Sequence, residues 1–136
     1  MQQSNWVNSG IKYALALSIL FLLVSCSGRT DEDLAGKAVE AYLQALVSEN
    51  ADHLATLSCA AWEEQAVMEV DAFVGVSASL NNVVCKQTGT ENGDALVSCQ
   101  REILATYNNE QQSLPLEGLV YQVVQERGDW LVCGYQ

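Results

Sequence analysis

The sequence predicts an α+β domain in which N-terminal helices pack on a curved antiparallel sheet of about four strands. Three observations carry this. Apolar residues first recur at helical spacing and then, from about residue 80, alternate as strands do. The alternating segments are separated by short runs rich in turn formers. All the helical pattern precedes all the strand pattern, which is segregation rather than βαβ alternation.

Taken in order, residues 26–33 are small, polar and acidic after Cys26 and read as a tether, with Thr30 and Asp33 spaced as a capping box. Leu34, Ala38, Ala41, Tyr42, Ala45 and Leu46 mark an amphipathic helix over about residues 32–48. Asn50 or Asp52 can cap a second helix carrying Leu54, Leu57 and Ala61. A third is expected from about Trp62 to Val74, with Ala66, Val67, Val70, Phe73 and Val74 on one side. Two strands, Leu80–Gln87 and Ala95–Tyr107, flank the turn-rich run Thr88–Asp94 and read as a hairpin. Asn108–Leu116, which holds the only proline, Pro115, reads as a polar loop. Leu119–Glu126 and Trp130–Tyr135 complete the sheet through a tight turn at Arg127-Gly128.

The chain's 136 residues, less a leader, suffice for one core, so residues 34–136 form a single domain. With six Lys+Arg against 17 Asp+Glu the net charge is −11. Lys12 is the only charged residue before Cys26, so the part that follows is one unit more acidic still. Such a surface repels phosphate backbones, which excludes nucleic acid as a partner, and it repels anionic lipid headgroups as well.

Residues 1–25 have the build of a signal peptide: one cation, no acid, then the apolar run Tyr13–Val24. Twelve helical residues cover about 18 Å, short of the roughly 30 Å of a bilayer core. Leu23-Val24-Ser25-Cys26 resembles the lipobox of bacterial lipoproteins, in which a small residue precedes the cysteine that is acylated. The resemblance implies cleavage before Cys26, a lipid anchor on that thiol, and residence on the extracytoplasmic face of a bacterial membrane. An uncleaved signal anchor is the alternative.

Four cysteines remain in an exported chain, an even number that suggests two disulfides in one of three pairings. With the hairpin centred near Asn92, Cys85 and Cys99 oppose each other across the ladder at a bondable distance. That leaves Cys59, on a helix, to join Cys133 on the last strand. Zinc is disfavoured because no close Cys pair exists, and thiol catalysis because His53 is the only histidine. The sequence calls for no metal and no cofactor.

Ala38–Leu57 (AVEAYLQALVSENADHLATL) resembles the opening of nuclear transport factor two-like domains, the cystatin-like cone, in which an aromatic-Leu-x-Ala helix end meets an Ala-Asp turn. Gly-Asp-Trp-Leu-Val-Cys at 128–133 resembles the final strand of such domains. The resemblance spans about 100 residues and implies a cone-type roll, with helices covering one face of the curved sheet. It implies no particular activity.

Two functional classes follow. A ligand-binding or protein-interaction module, with a partner or a second copy on the sheet face, is the first. A small isomerase or dehydratase working in the cone is the second, and it needs a carboxylate or His base with a donor for a developing oxyanion. Asp52, Glu63, Glu64, Glu69 and Asp71 are the acids near helices; Tyr42, Tyr107 and Tyr121 are the donors. Tyr42, Tyr121 and Arg101 are the candidate pocket residues, Arg101 because the strand around it is otherwise apolar. No serine elbow, phosphate-cradling glycine loop or H-E-x-x-H is present, so no catalytic residue is assigned. A pocket of convergent carboxylate and tyrosine groups would favour the enzyme, and a filled cone with an exposed apolar sheet the module.

Replacing Cys26 with Ser is expected to give an unacylated product whose domain still folds. Intact mass of the membrane-extracted protein, with and without reductant, reads acylation, cleavage and disulfide count together; an acylated C26S product would refute the assignment.

Overall fold

The structure, a computed structural model, describes residues 31–136; the leader, Cys26 and the proposed Thr30 cap lie outside the described residues. Helices α1 (Asp31–Val47), α2 (Ala51–Thr56) and α3 (Glu63–Asp71) precede strands β1 (Ser77–Glu91), β2 (Asp94–Tyr107), β3 (Glu110–Pro115), β4 (Val120–Glu126) and β5 (Asp129–Tyr135). The helices pack against one open antiparallel sheet in the order β1-β2-β4-β5, with β3 beside β2. The class is the α+β architecture that segregated helix and strand patterns imply. Residues 31–33, expected in the tether, are the first residues of α1. Among the described residues no helix is long and apolar enough to cross a membrane.

Helix α1 buries Ala35, Val39, Tyr42, Leu43 and Leu46. Its axis is turned slightly from the predicted stripe, leaving Leu34, Ala38 and Ala41 only half-buried. It stops in a Schellman-type end: Glu49 takes a left-handed φ of 54° and Asn50 N–H donates to Ala45 C=O. Asn50 then starts α2, its side chain accepting from His53 N–H at 3.0 Å. The next segment runs along β5. Cys59 N–H donates to Val132 C=O, and Val132 N–H to Leu57 C=O, both at 2.9 Å. This covers the outer edge of β5 and sets Cys59 beside Cys133, to which it is bonded.

The opposite edge of the sheet is β1, and α1 lies over it. Glu40 Oε1 accepts the Cys85 N–H at 3.1 Å, a donor that faces away from β2. One turn earlier, a Cβ on Gly36 would lie 2.3 Å from Cys85 O, so helix and strand meet with no room for a side chain.

Curvature comes from irregularities in the β1–β2 pair. The register shifts between Asn81 and Val84, and again between Gln87 and Gly89. Each inserts an extra residue and bends the ladder. Strand β2 also changes partner along its length, pairing with β4 through Ala95–Ser98 and with β3 through Glu102–Tyr107. At the changeover Arg101 has φ 80°; its N–H donates to Glu117 Oε1 at 2.7 Å and its C=O accepts from Leu116 N–H.

Two sequence expectations are corrected here. Asn108–Leu116 is not a loop but a turn followed by β3, because Asn108 and Asn109 both adopt left-handed φ and close a two-residue hairpin. The first hairpin is also tighter than expected: Asn92-Gly93 is its turn, and Thr88–Glu91 belongs to β1. Cys85 and Cys99 do face each other and are bonded, as are Cys59 and Cys133. From a centre between Asn92 and Gly93, unbroken pairing would set Cys85 against Gln100. The bulge at Thr88 restores the disulfide register.

Gly36→Ala tests the helix–strand contact. Helix propensity alone favours alanine by about 1 kcal/mol. The clash with a backbone oxygen is expected to outweigh this and leave the variant about 1–3 kcal/mol less stable in urea unfolding. A more stable G36A protein would contradict the packing.

Candidate functional site

Between the C-terminal part of α1, α3 and the β3–β4 side of the sheet lies a cavity of about 250 Å³. Its wall is largely apolar, with Leu46, Phe73, Ile103, Leu116 and Leu119 contributing. Four polar side chains converge on it: Tyr42 from α1, Glu69 from α3, Tyr121 from β4 and Tyr135 from β5. The volume falls just below the ~300–1,000 Å³ usual for ligand sites, so an occupant would be small.

Two of these groups, Tyr42 and Glu69, are ordered by a short hydrogen-bonded chain that begins at Trp62. Trp62 Nε1 donates to the Tyr42 hydroxyl at 3.0 Å, and that hydroxyl donates to Glu69 Oε2 at 2.7 Å. The second carboxylate oxygen, Glu69 Oε1, is buried and has no donor in full hydrogen-bond geometry, although the Tyr135 hydroxyl lies close enough to Glu69 to be raised by it. Tyr135 stacks obliquely on Tyr121 with ring centroids 5.4 Å apart, and Trp62 meets Tyr135 edge-on at 5.7 Å. The Trp62 ring lies over Gly134 of β5, whose φ of 133° suits glycine.

Electrostatically the site is acidic and otherwise neutral. Burial raises the Tyr42 phenol far above its ordinary value of 10.0, reinforced by its bond to Glu69. Tyr121 and Tyr135 are raised chiefly by burial as well, then by neighbouring Tyr135 for the first and by Glu69 for the second. All three are therefore neutral hydroxyls at pH 7 and can donate or accept. No Lys, Arg or His is among the residues lining the cavity.

Of the candidates named from sequence, Tyr42 and Tyr121 come together in this cavity. Arg101 does not join them: it is exposed on the bulge, held there by its left-handed backbone and by Glu117. The bulge breaks the alternation that pointed its side chain inward. Asp52, Glu63, Glu64 and Asp71 are exposed, Tyr107 is 60% exposed, and His53 sits exposed in the α2 turn beside Thr56. Glu69 alone among the acids reaches the cavity. The signal for it was spacing, since Ala66, Glu69, Val70 and Phe73 share the inward side of α3 and its following turn. Val67 and Val74, expected on that side, are exposed. Among the described residues no three His, Cys, Asp or Glu side chains converge as a metal site.

No family model matches the chain, and no curated protein matches it. Among solved structures, a designed nuclear transport factor two-like protein matches 79% of this chain and 98% of that one. Its identity is 16% and the TM-score 0.52, a likeness of fold alone. A SEC-C motif containing protein from Rhodopseudomonas palustris matches 82% of this chain and 94% of that one at 12% identity and a TM-score of 0.46.

Tyr42→Phe would strip the donor from Glu69 Oε2 and the acceptor from Trp62 Nε1, leaving two polar groups unpaired inside the protein. A loss of about 2 kcal/mol or more is expected in urea unfolding, against less than about 1 kcal/mol for Tyr121→Phe. Equal effects of the two substitutions would remove the case for an ordered Trp62–Tyr42–Glu69 chain.

Proposed function

We propose that this protein is a lipid-anchored extracytoplasmic module that binds a small, mainly apolar ligand in the cavity of its cone. The anchor rests on the lipobox resemblance of Leu23-Val24-Ser25-Cys26 and on the short apolar leader before it. Only four residues separate Cys26 from the start of α1, so the domain would ride within about 18 Å of its lipid. Its acidic surface would keep it from lying flat on anionic headgroups.

The observation that carries the binding reading is the cavity itself. An apolar hollow with a few polar groups aimed into it is the usual build of a ligand site. The unpaired Glu69 Oε1 supports the same reading, because a buried acceptor without a donor costs free energy that a ligand can recover.

The second reading is a small isomerase or dehydratase, and the pocket meets the condition set for it from the sequence, since a carboxylate and tyrosine hydroxyls meet there in one apolar hollow. In that reading Glu69 Oε1 is the general base and Tyr121 or Tyr135 the neutral donor to the developing oxyanion. Glu69→Gln separates the readings, since it would abolish turnover while leaving a ligand's apolar contacts in place.

The test is ligand-observed NMR of a library of small apolar compounds against the full chain and its Leu119→Trp variant, which fills the cavity rim. Compounds that bind the natural chain are expected to lose binding to the folded variant at least about tenfold. Retention of every hit by L119W would move the site elsewhere and end the proposal.

A further inference from the structure

Resting on the binding reading, we infer that the cavity selects a protonated primary or secondary amine carried on a compact apolar body. Glu69 is the acidic group in the cavity wall. Its Oε2 is occupied by the Tyr42 hydroxyl, and its Oε1 is buried beside the cavity with no donor. The Tyr135 hydroxyl is the nearby protein group that could compete for it, and the partner assigned to Oε1 is an N–H or O–H brought by the occupant.

Charge chooses between them. Glu69 is the one carboxylate among the lining residues, no cationic side chain lines the cavity, and the whole chain carries −11. A cation is drawn toward such a site, and its N–H to carboxylate bond is about twice as strong as a neutral one. Aromatic surface adds to this. Tyr121 and Tyr135 present two tilted rings beside the carboxylate, and an ammonium over a ring face is attracted by the ring quadrupole.

Geometry narrows the class further. A guanidinium prefers to grip both oxygens of a carboxylate at once, and here one of the two is already engaged by Tyr42. An ammonium acts as a point donor and needs only the free one. A quaternary ammonium has no N–H and would leave Oε1 unpaired. A zwitterionic lipid headgroup would bring a phosphate that no lining cation could meet. The apolar wall of Leu46, Phe73, Leu116 and Leu119 receives the body of the molecule, and about 250 Å³ keeps that body to a single ring or a short branched chain.

The experiment is calorimetric titration of the full chain in lipid nanodiscs, corrected against empty discs, with three matched probes. These are 2-phenylethylamine, its N,N,N-trimethylated form, and 3-phenylpropan-1-ol. The amine is expected to bind at least about tenfold tighter than either of the others, and Glu69→Gln to reduce that preference to about twofold. The probe comparison on the natural chain decides the matter even if the variant is poorly folded; circular dichroism reports whether it is. Equal binding of amine and alcohol overturns the amine assignment and leaves the binding reading standing. A trimethylated probe as tight as the primary amine overturns the N–H pairing with Glu69. Failure of all three to bind at millimolar concentration overturns the amine assignment, whereas the binding reading falls only with the library screen.

Discussion

Helix α1 and strand β1 meet almost backbone to backbone, and the remaining packing is arranged around that meeting. A sheet edge carries unpaired N–H and C=O groups that must be satisfied or shielded. Here Glu40 reaches across to the Cys85 N–H, and Gly36 lets the helix come close enough for it to do so. Two residues beyond Glu40, Tyr42 is carried to the cavity, and one further on Leu43 enters the core. The far edge, β5, is shielded differently, by the Leu57–Cys59 segment and the Cys59–Cys133 bond. Helices and sheet are thus clamped at both flanks, and the cavity lies between the clamps.

The clamping explains how a small domain can keep an imperfectly satisfied carboxylate inside. Glu69 is half fixed by a chain of donors that begins at the Trp62 indole, itself wedged against Gly134 of the final strand. Because Trp62 follows Cys59 by three residues, the disulfide that fastens the helical segment to β5 also steadies the start of this chain. In the proposed binding reading, Tyr42 and Glu69 are held in place beforehand, which lowers the ordering cost of binding.

Much of this was legible in the sequence, and for physical reasons. Helical spacing in α1, the Asn50 cap and the Arg127-Gly128 turn act locally, so local patterns reveal them. The disulfide pairing was reached through opposed strand positions, yet its register depends on a bulge at Thr88 that no residue type announces. Strand β3 escaped because an edge strand exposed on both faces has no apolar alternation to detect. Arg101 was misplaced for a related reason: its backbone leaves the pleat, so parity no longer indicates a face. Glu69 was visible as an acid on a helix, but its burial depends on Tyr42, 27 residues away. Contacts that join distant segments leave the weakest trace in any window of sequence.

Strand β3 has a further consequence. It pairs with β2 alone, so the outer rim of its six residues has no strand partner. Glu110, Gln111, Gln112 and Ser113 are all exposed there, and Pro115, which has no N–H, closes the strand. Charge and proline on such a rim discourage a neighbouring molecule from extending the ladder. If the proposed lipid anchor gathers copies on a membrane, that short polar border would stand between a dispersed population and one that stacks into fibrous aggregates.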